Sequence, residues 1–302
     1  MAAHIFQQVR KALESLNPGE VRRLAERPFR VGLAASDSDA LAAMEDYLVP
    51  AGISHRRRQE LVSILYRIGD PGAPLQFDIE IVQEGLPVAP GAFAFSMDDP
   101  QRVVRQILAE REDLALPLAR LLPPFREPVV HRIIRDVARE NAVFSILTAL
   151  PDIFPGAAVL PWVAGEFASD TAVLTANQVR MAFLIAAASD VKAGYLEQKS
   201  QIASIIAGAF GFRALARQLV AKIPFGAGLI PKAAVAYAGT YVVGRGLERY
   251  FRFGYGLTRA ERKLAYGKAL EDGKEFARVF LRRRRETAAA SGGVSRYAGK
   301  GV

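Results

Sequence analysis

The sequence predicts an α+β protein: a small α/β domain without a phosphate loop, followed by an all-α, hydrophobic helical domain. Three observations predict it. Between residues 29 and 109, short apolar runs alternate with helical patterns. From Ala142 to Leu247 charge is sparse, with five acids and eight bases in 106 residues. From Arg278 to Val302 the chain turns basic, seven bases standing against Glu286 alone. The domain limits that follow are 1–28 for an N-terminal helical brace and 29–122 for the α/β domain. An Ala/Gly-rich helical domain over 127–277 and a basic, disordered tail over 278–302 complete the division.

A chain of 302 residues is long enough to bury two ordinary cores. Hydrophobic residues make up 51% while charged residues are 24%, so the apolar character is concentrated in the poorly charged middle. The net charge is +9, most of it in the tail, and such a cluster suits the anionic cytoplasmic face of a bilayer. Specific nucleic-acid binding is disfavoured, because no zinc-ligand spacing, aromatic RNA-binding motif or basic recognition helix accompanies the charge. The chain has no cysteine, which excludes disulfides, thiolate metal sites and a cysteine nucleophile and fits a reducing compartment. The opening MAAHIFQQVRKALESL is amphipathic and charged, unlike a secretory signal, so a cytoplasm-facing location is expected.

The elements follow in order. Ile5, Val9, Leu13 and Leu16 recur at helical spacing, and Asn17-Pro18-Gly19 breaks that pattern. Phe29 to Ala35 reads as a strand, Ser36-Asp37-Ser38-Asp39 as a cap, and the stretch to Leu48 as a helix. Leu61, Ile64, Leu65 and Ile68 share a helical face, predicting a helix over Gln59 to Ile68. Phe77 to Val82 alternates like a strand, and Ala92 to Phe95 is a third. Asp98-Asp99-Pro100 then opens a helix over Gln101 to Ala109, and Pro123-Pro124 closes the domain. From Glu127 the pattern is helical, led by Val129, Val130, Ile133, Ile134, Val137, Ala138 and Ala142. Residues Pro155 to Pro161 echo Phe225 to Pro231 at an offset of 70, as if two related hairpins followed one another.

A membrane-spanning helix needs roughly 20 largely apolar residues. The best window is Ile223 to Gly244, twenty-two residues interrupted only by Lys232, a mid-bilayer charge costing about 3 kcal/mol. Phe154 to Gly165, Met181 to Ser189 and Ile202 to Phe212 are shorter and suit buried core helices or re-entrant segments. Gly226, Gly228, Gly239 and Gly244 permit close helix contact, and Tyr237, Tyr241, Tyr250 and Tyr255 suit an interface. A soluble core of tightly packed Ala/Gly helices accounts for the same composition.

No complete catalytic motif appears. A phosphate loop needs G-x-x-x-x-G-K-[ST] after the first strand. Gly32 to Asp39 lacks the second glycine and the lysine and places two aspartates where phosphate charge would sit. Asp37 and Asp39 are expected to cap and lead the next helix, and an enzymatic reading would need partners for them that no motif supplies. His4, His55 and His131 are distant in sequence and pair with no other ligand at metal spacing, so no metal and no cofactor are predicted. No G-x-S-x-G elbow occurs. Arg56-Arg57-Arg58 reads as a solvated helix start or, in the alternative, as a contact for an anionic partner.

The most informative segment is Ser169 to Met181, a polar stripe inside an apolar stretch. Asp170, Asn177, Gln178 and Arg180 are costly to bury without hydrogen bonds. They read either as a seam that locks helices or meets a ligand or partner, or as ordinary capping by Asp170 with Asn177 and Gln178 bonding across helices. Arg282, Arg283, Arg284 and Arg285 are the predicted contact with an anionic surface.

The polar segment, together with Ile223 to Ala233 and Ala238 to Gly244, resembles the YcjF-like family of uncharacterised helical domains, over roughly Glu127 to Gly256. The resemblance implies membrane association and a link to GTPases, since related domains are attached to GTPase domains. It makes the N-terminal part look like a degenerate GTPase-like core, although the phosphate loop and an Asn-Lys-x-Asp guanine motif are missing. It supplies no catalytic residue. The expected function is therefore a non-enzymatic, cytoplasm-facing, membrane-associated scaffold or GTPase-associated accessory protein. Its partners would be a membrane, with anionic lipid, and a protein. The alternative is a soluble cytoplasmic helical regulator whose Ala/Gly helices form a cavity or an oligomer interface.

Overall fold

A computed structural model describes residues 2–50, 52–148, 170–207 and 228–294. Its helices are α1 (Ala2–Glu14), α2 (Pro18–Ala25), α3 (Ser38–Leu48), α4 (His55–Val62), α5 (Pro100–Glu110) and α6 (Ala115–Leu121). Four longer ones follow: α7 (Pro123–Leu147), α8 (Asp170–Ala188), α9 (Leu229–Phe253) and α10 (Arg259–Val294). The strands are β1 (Val31–Ala34), β2 (Leu65–Arg67), β3 (Ile79–Gln83) and β4 (Phe93–Phe95). The α+β class expected from the sequence is what the chain adopts.

Two compact units are present. One comprises Asn17–Ile133 with Phe183–Glu197; the other comprises Met1–Leu16, Ile134–Ala182 and Gln198–Val302. The division differs from the predicted one at the N-terminal brace. Helix α1 belongs to the helical unit because Val9 and Ala12 are buried with Ala172 and Ala176 of α8, whereas α2 belongs to the sheet unit. Pro123-Pro124 is likewise not a linker but the start of α7, where proline is tolerated because the first N–H groups of a helix have no internal partner.

In the sheet unit all strands are parallel, in the order β2-β1-β3-β4. A parallel sheet is covered on both faces and reads as continuous apolar runs. Val31 and Leu33 of β1 and Ile79, Ile81 and Val82 of β3 accordingly lie buried. Gly32 is needed at its place in β1 because a Cβ there would lie 2.8 Å from the Phe77 ring. The helix predicted over Gln59 to Ile68 is corrected: α4 ends at Val62 and Leu65–Arg67 is strand β2. Val31 N–H donates to Ile64 O (3.0 Å) and Ile68 N–H to Leu33 O (2.8 Å), so the edge of β1 takes up this segment. So short an apolar run fits either period, and the ladder decided it.

In the helical unit, Ala138, Ala142 and Ile146 of α7, Ala233, Tyr237 and Ala238 of α9, and Ala269 and Ala277 of α10 form a buried core. Small side chains let these backbones approach. A Cβ on Gly244 would lie 2.7 Å from Ile134, and one on Gly273 would lie 3.0 Å from the Ala234 Cα. The tail expected to lack structure from Arg278 is instead helix as far as Val294. Phe276, Phe280 and Leu281 pack on the core, and the pairs Lys274–Glu271 and Arg278–Glu275 line the solvent side at helical spacing.

The turn between α9 and α10 is built from local signals. Gly254 closes α9 in the left-handed conformation, φ +81°, its N–H donating to Tyr250 O at 2.7 Å. Thr258 and Glu261 then form a reciprocal capping box: Thr258 N–H donates to Glu261 Oε2 (2.8 Å), and Glu261 N–H donates to Thr258 Oγ1 (3.3 Å). The backbone and hydroxyl of Thr258, with Arg249, hold the Glu261 carboxyl down at about 2. A depressed carboxyl stabilises the fold above its unfolded value near 4.5, and that contribution disappears as pH falls toward 2. A carbon-detected NMR titration is therefore expected to give a Glu261 midpoint near 2; a midpoint at the ordinary value would show the box is not formed.

Candidate functional site

The polar residues singled out in the sequence are brought together inside the helical unit. Asn177 and Gln178 of α8 are buried, as are Asn141 of α7 and Thr240 of α9. Asn177 Nδ2 donates to Asn141 Oδ1 at 2.8 Å, and Asn141 Nδ2 donates to Thr240 Oγ1 at 2.8 Å. Gln178 Nε2 reaches the same hydroxyl at 3.2 Å. Arg180 Nε donates to Asn177 Oδ1 at 3.2 Å, and its terminal nitrogen pairs with Glu140. One chain of hydrogen bonds thus ties α7, α8 and α9 together. A buried amide left without partners would cost several kcal/mol, so this network selects a single register of the three helices.

The seam's chemistry is limited. Amides, a hydroxyl and the Arg180–Glu140 ion pair can hold shape and orient a polar ligand. Asp170 begins α8, and its side chain lies outside the described residues. Sequence reasoning missed Glu140, Asn141 and Thr240. Asn141 stands as a lone amide between Ala138 and Ala142 of the apolar face, and that is the signal that marks it.

The second place where an α/β unit holds ligands is the mouth of the sheet, where strand order reverses between β1 and β3. Here that mouth is bridged by the chain's own side chains, Ser36 meeting Gln83. Ser36 N–H donates to Gln83 Oε1 (2.8 Å), and the Ser36 hydroxyl lies 2.9 Å from the same oxygen. Asp37 caps α3 by accepting from Ala40 N–H (2.8 Å), which with the Ser36 hydroxyl lowers its pKa. Glu84 is also lowered, by Ser96 and by Arg102, which it meets at 2.5 Å. Asp99 stands before α5 without a side-chain cap bond and takes Arg105 instead, at 2.7 Å. Asp37, held charged at this mouth, disfavours a phosphate group there, while Glu84 and Asp99 are each balanced by an arginine.

Of the predicted anionic-surface residues, Arg282, Arg283 and Arg284 are exposed, and Arg284 lies over the Phe280 ring at 5.7 Å. The Arg285 side chain lies outside the described residues. Among the described residues no group of three or more His, Asp or Glu is placed to hold a metal. One helical window there is long and apolar enough to cross a membrane, Thr171–Ala188 in α8, with mean hydropathy 1.3 and 78% of it buried. Of the window foreseen at Ile223 to Gly244, the part from Gly228 is described, and Lys232 Nζ donates to Thr148 Oγ1 at 3.3 Å. Phe154 to Gly165 and the first copy of the internal echo lie outside the described residues. No family model matches the chain, and neither does any curated protein or solved structure.

Proposed function

We propose that this chain is a non-enzymatic accessory or scaffold protein working at the cytoplasmic face of a membrane. Its helical unit is read as a YcjF-like domain. Its sheet unit is read as a degenerate GTPase-like core that no longer binds nucleotide and offers a surface to a protein partner, a GTPase among them. The observation that carries the reading is the buried seam: the polar groups of the most apolar part of the chain bond to one another across three helices. Polar groups used in this way hold helices together in an apolar setting. The Ser36–Gln83 bridge and the charged Asp37 at the mouth between β1 and β3 support the loss of nucleotide binding, and the parallel order β2-β1-β3-β4 supports descent from a doubly wound nucleotide-binding core.

Fractionation of cells producing the full chain tests this reading. The chain is expected in the membrane fraction at low salt and in part in the high-salt wash, because charge contributes to the attachment. Recovery wholly in the soluble fraction at low salt would sink it. A second reading, a soluble helical regulator with an Ala/Gly-lined interface, is favoured by the burial of 78% of Thr171–Ala188. Under it the purified chain is monodisperse without detergent in light scattering.

A further inference from the structure

We propose that the turn between α9 and α10 is the surface by which the protein docks on an anionic bilayer, its exposed rings entering the headgroup layer. The proposal rests on the membrane reading above and says which surface carries it. Among the described residues, large apolar side chains are exposed together here: Tyr250 (39%), Phe253 (55%), Tyr255 (56%) and Leu264 (78%). A lone exposed hydrophobe is ordinary, whereas the stacked Phe253 and Tyr255 rings at the turn, flanked by Tyr250 at the end of α9 and Leu264 at the start of α10, are four within fifteen residues. The Phe253 and Tyr255 rings stack at 6.0 Å, with Arg252 over Phe253 and Arg249 over Tyr255, each at 5.1 Å. Amphipathic rings beside cations suit the boundary between headgroups and acyl chains.

Charge identifies the occupant. From Glu248 to Leu264 the sequence carries five bases against two acids, and both acids are already engaged, Glu248 by Arg245 and Glu261 by Arg249. The surplus is positive, beside the apolar patch. The turn is also held in shape by the left-handed Gly254 and the Thr258–Glu261 capping box, so the rings are presented without an ordering cost at contact.

The rival surface, Arg282 to Arg285, lies farther along α10, about 27 Å of helix beyond Leu264. Between them the exposed face carries Glu271, Asp272 and Glu275. Lys274 and Arg278 pair with Glu271 and Glu275, and Lys268 balances Asp272 in number, so this stretch, unlike the turn, has no cationic surplus to set against lipid charge. Of the two ends, the turn has the exposed rings; Phe280, near the arginine run, is packed on the core.

Flotation of the full chain with vesicles of phosphatidylcholine, and of phosphatidylcholine mixed with phosphatidylglycerol, tests the assignment. The wild type is expected to float with the mixed vesicles. The triple variant Phe253→Ser, Tyr255→Ser, Leu264→Ser is expected to bind about tenfold more weakly or worse with an unchanged melting curve. Glutamine at positions 282–285 is expected to weaken binding less. A wild type that floats with neither vesicle sinks the membrane reading and this surface with it. A wild type that floats while the triple variant floats equally well overturns the surface alone. So does a triple variant that keeps vesicle binding and changes only from dimer to monomer in light scattering, which would assign the patch to a second copy of the chain.

Discussion

Alanine at position 141 is expected to lower the unfolding free energy by about 3 kcal/mol, the largest effect of any polar substitution in the helical unit. Asn141 is fully buried and holds both ends of the seam, accepting from Asn177 and donating to Thr240. Its removal deletes these two bonds and a longer one from its Nδ2 to Leu174 O (3.5 Å), leaves the buried Asn177 amide without that acceptor and opens a small void. Gln178→Ala should cost about 1 kcal/mol, because Gln178 reaches Thr240 at 3.2 Å and the hydroxyl keeps Asn141 as a partner. Urea unfolding followed by circular dichroism ranks the two. Equal midpoints for Asn141→Ala and wild type would mean that the seam holds nothing.

The second large effect belongs to Gly273. Its Cβ would lie 2.9 Å from the Tyr237 Cβ, 3.0 Å from the Ala234 Cα and 3.2 Å from the Ala234 carbonyl oxygen. Backbone atoms cannot turn aside as a flexible side chain can, so α9 and α10 must separate to admit anything larger than hydrogen. Gly273→Leu is expected to cost about 3 kcal/mol or more, at the upper end of what overpacking does. The contrast is Gly267 on the same helix, where an added Cβ meets nothing within 4 Å. Gly267→Ala should instead stabilise by up to about 1 kcal/mol, since a glycine in a helix interior costs backbone entropy. Thermal melts of the two variants should move in opposite directions; a Gly273→Leu melt at or above wild type would contradict the close approach.

What the residues announce in advance depends on how far away their partners lie. Asp37 before Ser38-Asp39-Ala40 announces a helix start because its partner, Ala40 N–H, is three residues on. The Thr258–Glu261 box is local in the same way. Asn177 and Gln178 were legible as costly residues in an apolar run, yet their partners Asn141 and Thr240 lie 36 and 62 positions away, and no periodicity links them. Leu65 to Arg67 reads as helix from the sequence because the short run Ile64, Leu65 and Ile68 fits a helical face until β1 supplies a ladder. The arginine-rich end was misread for a related reason: Arg282 to Arg285 look solvated, but Phe276, Phe280 and Leu281 just before them meet the core and carry the helix onward.

The claim at the centre of this account is that the polar groups of the helical unit serve to hold helices together. A double-mutant cycle across α7 and α9, with Asn141→Ala, Thr240→Val and both together, tests it most directly, read as unfolding free energies in urea. A direct hydrogen bond between buried partners predicts a coupling energy of about 1 kcal/mol or more. Strict additivity, with the double variant losing the sum of the two single losses, would contradict it.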